Sequence, residues 1–487
     1  MGTKNVSGFK KVFDQDSGLH KLLTYGVAAL LLVLCAFLSG SSEEPNPAWG
    51  TIILACLFYY AIISRRILET IILGSAMGAV LLYSAPYVFD GMIELMYINF
   101  MSEDYAWLAL NCAMMNIFVW LLNRSGATHA FSDLIRKFAK DAKRLNLVTW
   151  LMQFPMFFDD YMHITVLGNV LAPIYDEKKV PREEGAFIIQ TTAEPIRVLF
   201  PFTGWTAFMV GILMLDGFAE DSSSALMAFI KTIPFSFYSW VAILGSLLFA
   251  LGKLPKLGGL KNPHPELYKE VEGVEEEDGS AKKGTLFDFF LPILVLVGLT
   301  IYYEFDLVPA CIIVLPLLYV YYMARGFIKT KDIEESMVEG TKEFVYLYIL
   351  ILFTYMLSTV LDEIGYTEYL VEVAQQFANP HILPFALFVV FCISEAAMSL
   401  NWGLLMIAFP IIIPLAQAIG ANPYLCAAAM ISAGAFGNNF CYICDFTTLT
   451  STSIGLPSGY QARNCLNYSL IFAGVSAVLY LVCGFVF

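Results

Sequence analysis

The sequence predicts an all-α polytopic membrane protein with about eleven transmembrane helices and two re-entrant hairpins, arranged as two inverted repeats. Three observations carry that expectation. First, 58% of the 487 residues are hydrophobic and only 14% are charged, against roughly 45–50% and about 25% in soluble domains. Many separate apolar runs reach the ~17–25 residues that a spanning helix needs, whereas a β-barrel would read as short alternating segments. Second, the order and spacing of the apolar segments recur after about 239 residues, and internal repeats of this kind are common in secondary transporters. Third, two adjacent carboxylates, Asp159 and Asp160, interrupt an otherwise apolar stretch. A charge at the bilayer centre costs roughly 2.5–3.5 kcal/mol on insertion scales, so such a pair needs water, an ion or a partner.

Taken in order, apolar segments fall at about 20–38, 49–64, 68–88 and 105–123. Two broken stretches, 145–175 and 184–216, and a segment at 225–252 complete the first half. A polar loop, Lys253 to Thr285, separates it from segments at 286–303, 306–325 and 344–361. Two more broken stretches, 382–420 and 423–455, precede a last segment at 466–487. The expected organisation is therefore a tail and extra first helix (1–48), a first repeat (49–252), a loop (253–285) and a second repeat (286–487). The run from Leu22 to Leu38 also fits a signal peptide, but the topology below needs it retained.

Lysines and arginines set the orientation. Arg65-Arg66, the cluster Arg124 to Arg144, Lys178, Lys179, Arg182, the start of the central loop, and Arg325 to Lys331 are basic, while the intervening loops are acidic. All the basic loops share the cytoplasmic side only if 145–175 enters and returns on one face. Each arm has about 12 residues, ~18 Å at 1.5 Å per residue, half of a ~30 Å core. The tip, Phe157 to Tyr161, then lies near the midplane. The same count places 382–420 on the outer face, with its tip at Glu395 to Trp402. The net charge of −14 sits largely in solvated loops and is not evidence for an acidic substrate; the expected surroundings are a lipid bilayer, with no nucleic-acid partner. The expected setting is a prokaryotic inner membrane, multi-pass, with the N-terminus inside.

The stretch 184–216 holds Glu194-Pro195-Ile196-Arg197 and Pro201-Phe202-Thr203-Gly204. Proline lacks a donor and disfavours helix at the preceding residue, so unwound backbone is expected at Glu194 and at Thr203. Its counterpart, 423–455, holds Gly437-Asn438-Asn439 and Asp445-Phe446-Thr447-Thr448. Broken helices expose N–H groups and carbonyls at membrane depth, and oxygen ligands suit a hard cation. Candidate cation and proton ligands are Asp159, Asp160, Asp445, Thr447 and Thr448. Candidates for solute binding or coupling are Glu194, Arg197, Thr203, Glu395, Asn401, Asn438 and Asn439. Each has a plainer reading. The aspartates can cap half-helices, Glu194 and Arg197 at i, i+3 can neutralise each other, His163 can be a hydrogen-bonded core residue, and Asp445 with its Thr/Ser run can serve helix packing. Cys441 and Cys444 have CxxC spacing without a second pair, and most of the ten cysteines read as apolar filler.

Phe157-Phe158-Asp159-Asp160-Tyr161, Ala172-Pro173-Ile174-Tyr175-Asp176, Pro181-Arg182-Glu183, Thr191-Thr192-Ala193-Glu194-Pro195, Thr203-Gly204-Trp205, Asn401-Trp402-Gly403 and Gly437 to Thr448 resemble, in order and spacing, a signature series of NhaC-type Na+/H+ antiporters. The resemblance runs from about Leu122 to the C-terminus. It implies the fold of the ion transporter superfamily and often a homodimer. Five positions depart from the family pattern: Asn401 replaces a serine, Asn438-Asn439 replaces an Asp-His pair, and Glu194 and Arg197 stand where small or apolar residues are commoner.

Two mechanisms follow. In the first, Na+ and H+ compete for buried aspartates, because burial disfavours an uncompensated carboxylate, and competition couples their flows. In the second, the same aspartates hold Na+ while Arg197, Asn401 and Asn438-Asn439 bind a small organic anion or amino acid. The discriminator is whether Arg197 is engaged by Glu194. An enzyme is not expected, since Walker A, HExxH and GxSxG motifs are lacking, and no cofactor beyond the transported or coupling ions is implied.

Overall fold

The computed structural model describes residues 18–39, 45–64, 66–83, 87–157, 160–215, 219, 221–269, 284–303, 306–342, 345–366, 369, 372–373, 379–398, 401–441 and 444–487. These are helical almost throughout, and no strand occurs among them. The helices are α1 (Val27–Ser39), α2 (Gly50–Ser64), α3 (Ile67–Leu82), α4 (Val88–Phe100), α5 (Glu103–Arg124), α6 (Ala127–Phe138), α7 (Ala142–Leu151), α8 (Asp160–Glu177), α9 (Arg182–Leu199), α10 (Gly204–Leu215), α11 (Ser222–Thr232) and α12 (Phe237–Ala250). The second half supplies α13 (Leu286–Tyr302), α14 (Leu307–Arg325), α15 (Lys331–Lys342), α16 (Val345–Glu363), α17 (Leu383–Met398), α18 (Asn401–Ala418), α19 (Pro423–Phe440), α20 (Asp445–Ile454) and α21 (Ser458–Val486). The starts Asp160, Arg182 and Gly204 recur, each after the same interval, at Asn401, Pro423 and Asp445.

Among the described residues, four helices are long and apolar enough to cross a membrane: Leu22–Ser39, Tyr105–Arg124, Leu307–Arg325 and Gly459–Val486. Two bent pairs bring the number to six, Arg182–Leu199 with Gly204–Met214 (49°) and Ser222–Phe235 with Phe237–Ala250 (50°). Several other apolar helices, α3, α13 and α17 among them, are shorter than the ~20 residues of a straight span.

The chain divides into two compact units. The first holds residues 1–106, 345–380 and 402–421. Its centre is the packing of α3 on α16, made close by glycine. A Cβ on Gly78 would lie 2.0 Å from Val360 Cγ1, and Ser75 Oγ donates to the Phe353 carbonyl at 2.8 Å.

The second unit holds residues 107–344, 381–401 and 422–487. Two helices form its core. Every residue of α9 from Arg182 to Val198 is buried, and so is every residue of α19 from Leu425 to Asn439. The alanines and glycines of α19 let its neighbours approach closely, as small residues do in membrane bundles. α9 is surrounded by α7, α8, α12, α19, α20 and α21, and α19 packs on α17, α12 and α21.

The expected hairpin at 145–175 is two helices separated by a break, but its arms are unequal, 10 residues in α7 and 18 in α8. Asp160 and Tyr161 already belong to α8, so the break begins earlier than expected, at Met152, where Pro155 imposes a short 3-10 turn. In the hairpin expected at 382–420, α17 belongs to the second unit and Trp402 onward to the first.

Candidate functional site

The site lies in the second unit, where α9 and α19 both break. α9 ends at Leu199 because Phe200 adopts an extended backbone (φ −99°, ψ 123°) ahead of Pro201, the conformation that proline favours in its predecessor. Thr203 Oγ1 then accepts the Thr206 N–H at 3.1 Å, and Thr206 Oγ1 donates to the Phe200 carbonyl at 2.8 Å. The Thr203 hydroxyl thus caps α10, and the Thr206 hydroxyl takes up a carbonyl that the break sets free.

The α19–α20 break repeats this arrangement. Cys441 is extended (φ −73°, ψ 135°). Cys444 Sγ accepts the Thr447 N–H at 3.3 Å, and Thr447 Oγ1 donates to the Cys441 carbonyl at 2.9 Å. Phe200, Thr203 and Thr206 therefore correspond in role to Cys441, Cys444 and Thr447. Cys444 is a cap through sulfur, and among the described residues no group of three His, Cys, Asp or Glu side chains could hold a metal ion.

One expectation fails here. Glu194 is not at unwound backbone; α9 runs through Pro195 without a break. Proline removes one donor, yet neighbouring helices make such a gap tolerable inside a membrane bundle. Glu194 and Arg197 are both buried and form an ion pair at 3.4 Å, spaced i, i+3. Asn438 Nδ2 donates to the other oxygen of Glu194, and the Arg197 guanidinium lies over the Trp205 ring, 5.1 Å from its centroid. Charge, amide and ring together compensate a carboxylate that would otherwise be costly at this depth.

A second line of polar groups joins the two breaks. Gln190 Nε2 donates to the Asn438 carbonyl at 3.0 Å and to Thr447 Oγ1 at 2.8 Å. Gln461 Nε2 donates to Gln190 Oε1 at 2.9 Å, and Asn464 Nδ2 to Gln461 Oε1 at 2.9 Å. All three amides are fully buried. Asn439 Nδ2 donates to the Tyr238 hydroxyl at 3.2 Å, while its Oδ1 is buried with no hydrogen-bond partner among the described residues. Glu395 of α17 is buried against α19. A Cβ on Gly437 would lie 2.7 Å from its Cβ and 3.0 Å from its Oε2, so only glycine admits the carboxylate there.

The structure therefore gathers Glu194, Arg197, Asn438, Asn439, Thr447 and Glu395 within one buried region, with Thr203 capping the other break. Thr448 is not part of it: its side chain is exposed, since consecutive helical residues point about 100° apart. Asp159 lies outside the described residues, and so do the side chains of Asp160, Asn401 and Asp445; Asp445 begins α20. His163 is buried with its Nε2 on Gln153 Oε1, the core histidine of the plainer reading. Gln190, Tyr238, Gln461 and Asn464 were not anticipated. Gln190 has a signal, one turn before Glu194 on the same helix face; Gln461 and Asn464 have none, because the last apolar run, 466–487, begins after them.

Comparison with known proteins agrees with this architecture. The fold is similar to the YdaH transporter of Alcanivorax borkumensis, with a TM-score of 0.62 over 90% of this chain and 98% of that one at 12% identity. It is also similar to MtrF of Neisseria gonorrhoeae, assigned to a class of antimetabolite efflux pumps, with a TM-score of 0.53 over 93% and 97% at 12% identity. At such identities the likeness concerns the fold. An uncharacterized protein of Haemophilus influenzae is 22% identical over 91% of this chain and 92% of its own length. Residues 206–485 match the Na+/H+ antiporter family. They include α10 beyond its first two residues, the second half as far as Phe485, and both α19 and α20, so the chain is a membrane transporter and belongs to the Na+/H+ antiporter family.

Proposed function

We propose that the chain is a sodium-coupled secondary active transporter that exchanges Na+ for H+, the two ions competing for buried aspartates at the helix breaks. The observation that carries this reading is the recurrence of one break geometry at Thr203–Thr206 and Cys444–Thr447. It presents carbonyl and hydroxyl oxygens beside the start of each half-helix, a setting that suits a hard cation. Asp445 opens one of those half-helices, and Asp160, which follows Asp159 in sequence, opens α8, which packs on both α9 and α20. Protonation of such a carboxylate releases Na+, and Na+ binding expels the proton.

The account carries the rest of the topology with it: repeats 49–252 and 286–487 inverted relative to each other, about eleven spans with hairpins at 145–175 and 382–420, an inward N-terminus in a prokaryotic inner membrane, and a homodimer. Transport of a small organic anion or amino acid on the same scaffold is the second reading. The contact of Arg197 with Glu194 and Trp205 favours exchange, because the guanidinium already has a carboxylate and a ring.

Proteoliposomes with an imposed Na+ gradient, an internal pH dye and a panel of labelled amino acids and carboxylates test the choice. Exchange predicts a pH change without any solute, retained in Arg197→Ala. Solute uptake driven by Na+, with no pH change in its absence and lost in Arg197→Ala, would establish the second reading instead.

A further inference from the structure

The central loop is bound to the helices at every turn of its described part. After Gly252 (φ +71°) closes α12, the Pro255 carbonyl accepts from the Tyr468 hydroxyl, and Lys256 pairs with buried Glu184. The Asn262 carbonyl accepts from the Tyr460 hydroxyl at 2.5 Å. The His264 N–H and the Tyr268 hydroxyl both donate to Glu183, at 2.9 and 2.5 Å. Arg182 ties the end together: it forks onto Asp176 at 3.0 and 2.5 Å, and its Nη1 donates to the Lys269 and Ile454 carbonyls at 3.0 and 2.9 Å. Lys269 N–H then bonds the Gly455 carbonyl at 2.9 Å. One strap thus spans the start of α9, the end of α20 and the first three turns of α21.

Its middle meets the amide line described above. Gly258 (φ +56°) and Gly259 lie directly on α21, where a Cβ would fall 2.6 Å from Asn467 Nδ2 and 2.2 Å from Asn464 Oδ1. Leu260, buried, follows. Asn464 Oδ1 is itself buried with no hydrogen-bond partner among the described residues. The amides therefore run from the α19–α20 break, through Gln190 and Gln461, to an unsatisfied acceptor beneath the strap. Burying that acceptor disfavours the closed strap, and hydrating it on opening removes the penalty. None of the anchors named above falls on Gly258, Gly259 or Leu260, so that stretch can rise from α21 without breaking them. Lifting that stretch exposes Leu260 and hydrates the Asn464 acceptor, two opposed effects of similar size.

We propose that Lys253–Lys269 is the inner gate of the transporter, a strap that covers the amide-lined end of the route to the helix breaks and lifts from α21 at Gly258–Leu260 during each cycle. The proposal rests on the transporter reading, with the strap on the cytoplasmic side.

Two measurements in proteoliposomes test it. In Asn262→Cys/Tyr460→Cys, a short cleavable bis-maleimide fixes the strap to α21, and 22Na+ uptake is followed before cross-linking, after it, and after reductive cleavage. In Leu260→Cys, the rate of N-ethylmaleimide labelling is compared under inward and outward Na+ and pH gradients, against the wild type with its native cysteines. A state populated at about 0.1–10% in one condition and dominant in the other changes labelling by about tenfold or more. The gate predicts that cross-linking stops uptake reversibly and that Leu260→Cys labelling differs about tenfold between gradient directions. Full uptake in the cross-linked protein, or equal labelling in all gradients, would overturn it. Should the wild type take up no 22Na+, the sodium reading fails by itself, and the Leu260→Cys labelling rates under opposed pH gradients still decide the gate.

Discussion

Replacing Gln190 by leucine isolates the polar line that joins the two helix breaks. Leucine has similar volume, so the change removes hydrogen bonds more than packing. Three are lost: donation to the Asn438 carbonyl (3.0 Å), donation to Thr447 Oγ1 (2.8 Å), and acceptance from Gln461 Nε2 (2.9 Å). Thr447 Oγ1 keeps its bond to the Cys441 carbonyl, and the Asn438 carbonyl keeps the Cys444 thiol at 3.3 Å. Gln461 Nε2 fares worst, left with only the Cys465 sulfur at 3.6 Å. An orphaned buried donor costs about 1–3 kcal/mol and each of the two further lost bonds about 0.5–1.5 kcal/mol, so Gln190→Leu should destabilise the protein by about 2–6 kcal/mol. Gln461→Leu removes the orphan, and the double variant should then cost about 1–2 kcal/mol less than the sum of the two singles. Denaturant titration in mixed micelles measures all four species. Single variants each within ~0.5 kcal/mol of wild type, the range of an unremarkable surface change, or strict additivity, would refute the reasoning.

Three further outcomes follow from the geometry. Gly437→Ala drives a Cβ against the Glu395 side chain at 2.7 Å and should cost about 1–3 kcal/mol as overpacking, in the same titration; an unchanged midpoint would show that α17 yields freely. Arg197→Met leaves Glu194 buried without its cation and should cost about 3–5 kcal/mol, most of it recovered in Glu194→Gln/Arg197→Met, whereas equal costs for the single and double variants would deny the pairing. Asp221 caps α11 through the Ser224 N–H at 2.7 Å, and hydrogen bonds from the Ser224 backbone and side chain hold its carboxyl below the ordinary value. Its capping contribution is therefore present above the unfolded-state value and is lost as pH falls through the lower folded one. Asp221→Ala should thus cost about 0.5–1 kcal/mol near neutrality, the low end for an exposed cap, and nothing in strong acid; a pH-independent difference would assign the effect elsewhere.

How much of this was legible in the sequence depends on distance along the chain. Helix ends are local, so Pro201 and Gly204 announced the break after α9, and the interval between repeats announced its partner after α19. Glu194, Arg197, Asn438 and Asn439 stood out because charges and amides are costly in apolar helices, and they do lie together. The backbone at Glu194 was misjudged because proline was weighed as a breaker, whereas α9 is enclosed by six helices that tolerate it. Thr448 was grouped with Thr447 by adjacency, although adjacent positions on a helix face different ways. The amide line could not be read at all, since Gln190 meets Asn438, Thr447 and Gln461 across more than two hundred residues.

The central claim is that Na+ and H+ contend for one carboxylate site, and the most direct test is the pH dependence of the apparent Na+ affinity. Initial rates of 22Na+ uptake into proteoliposomes, measured over a range of Na+ concentrations at several external pH values, separate KM from the maximal rate. A cation that binds only the deprotonated ligand loses apparent affinity by about tenfold per pH unit in acid. The account predicts that the KM for Na+ rises in this way as pH falls while the maximal rate extrapolates to one value, and that the dependence disappears in at least one of Asp159→Asn, Asp160→Asn and Asp445→Asn. A KM that is constant with pH, with only the maximal rate changing, would contradict it.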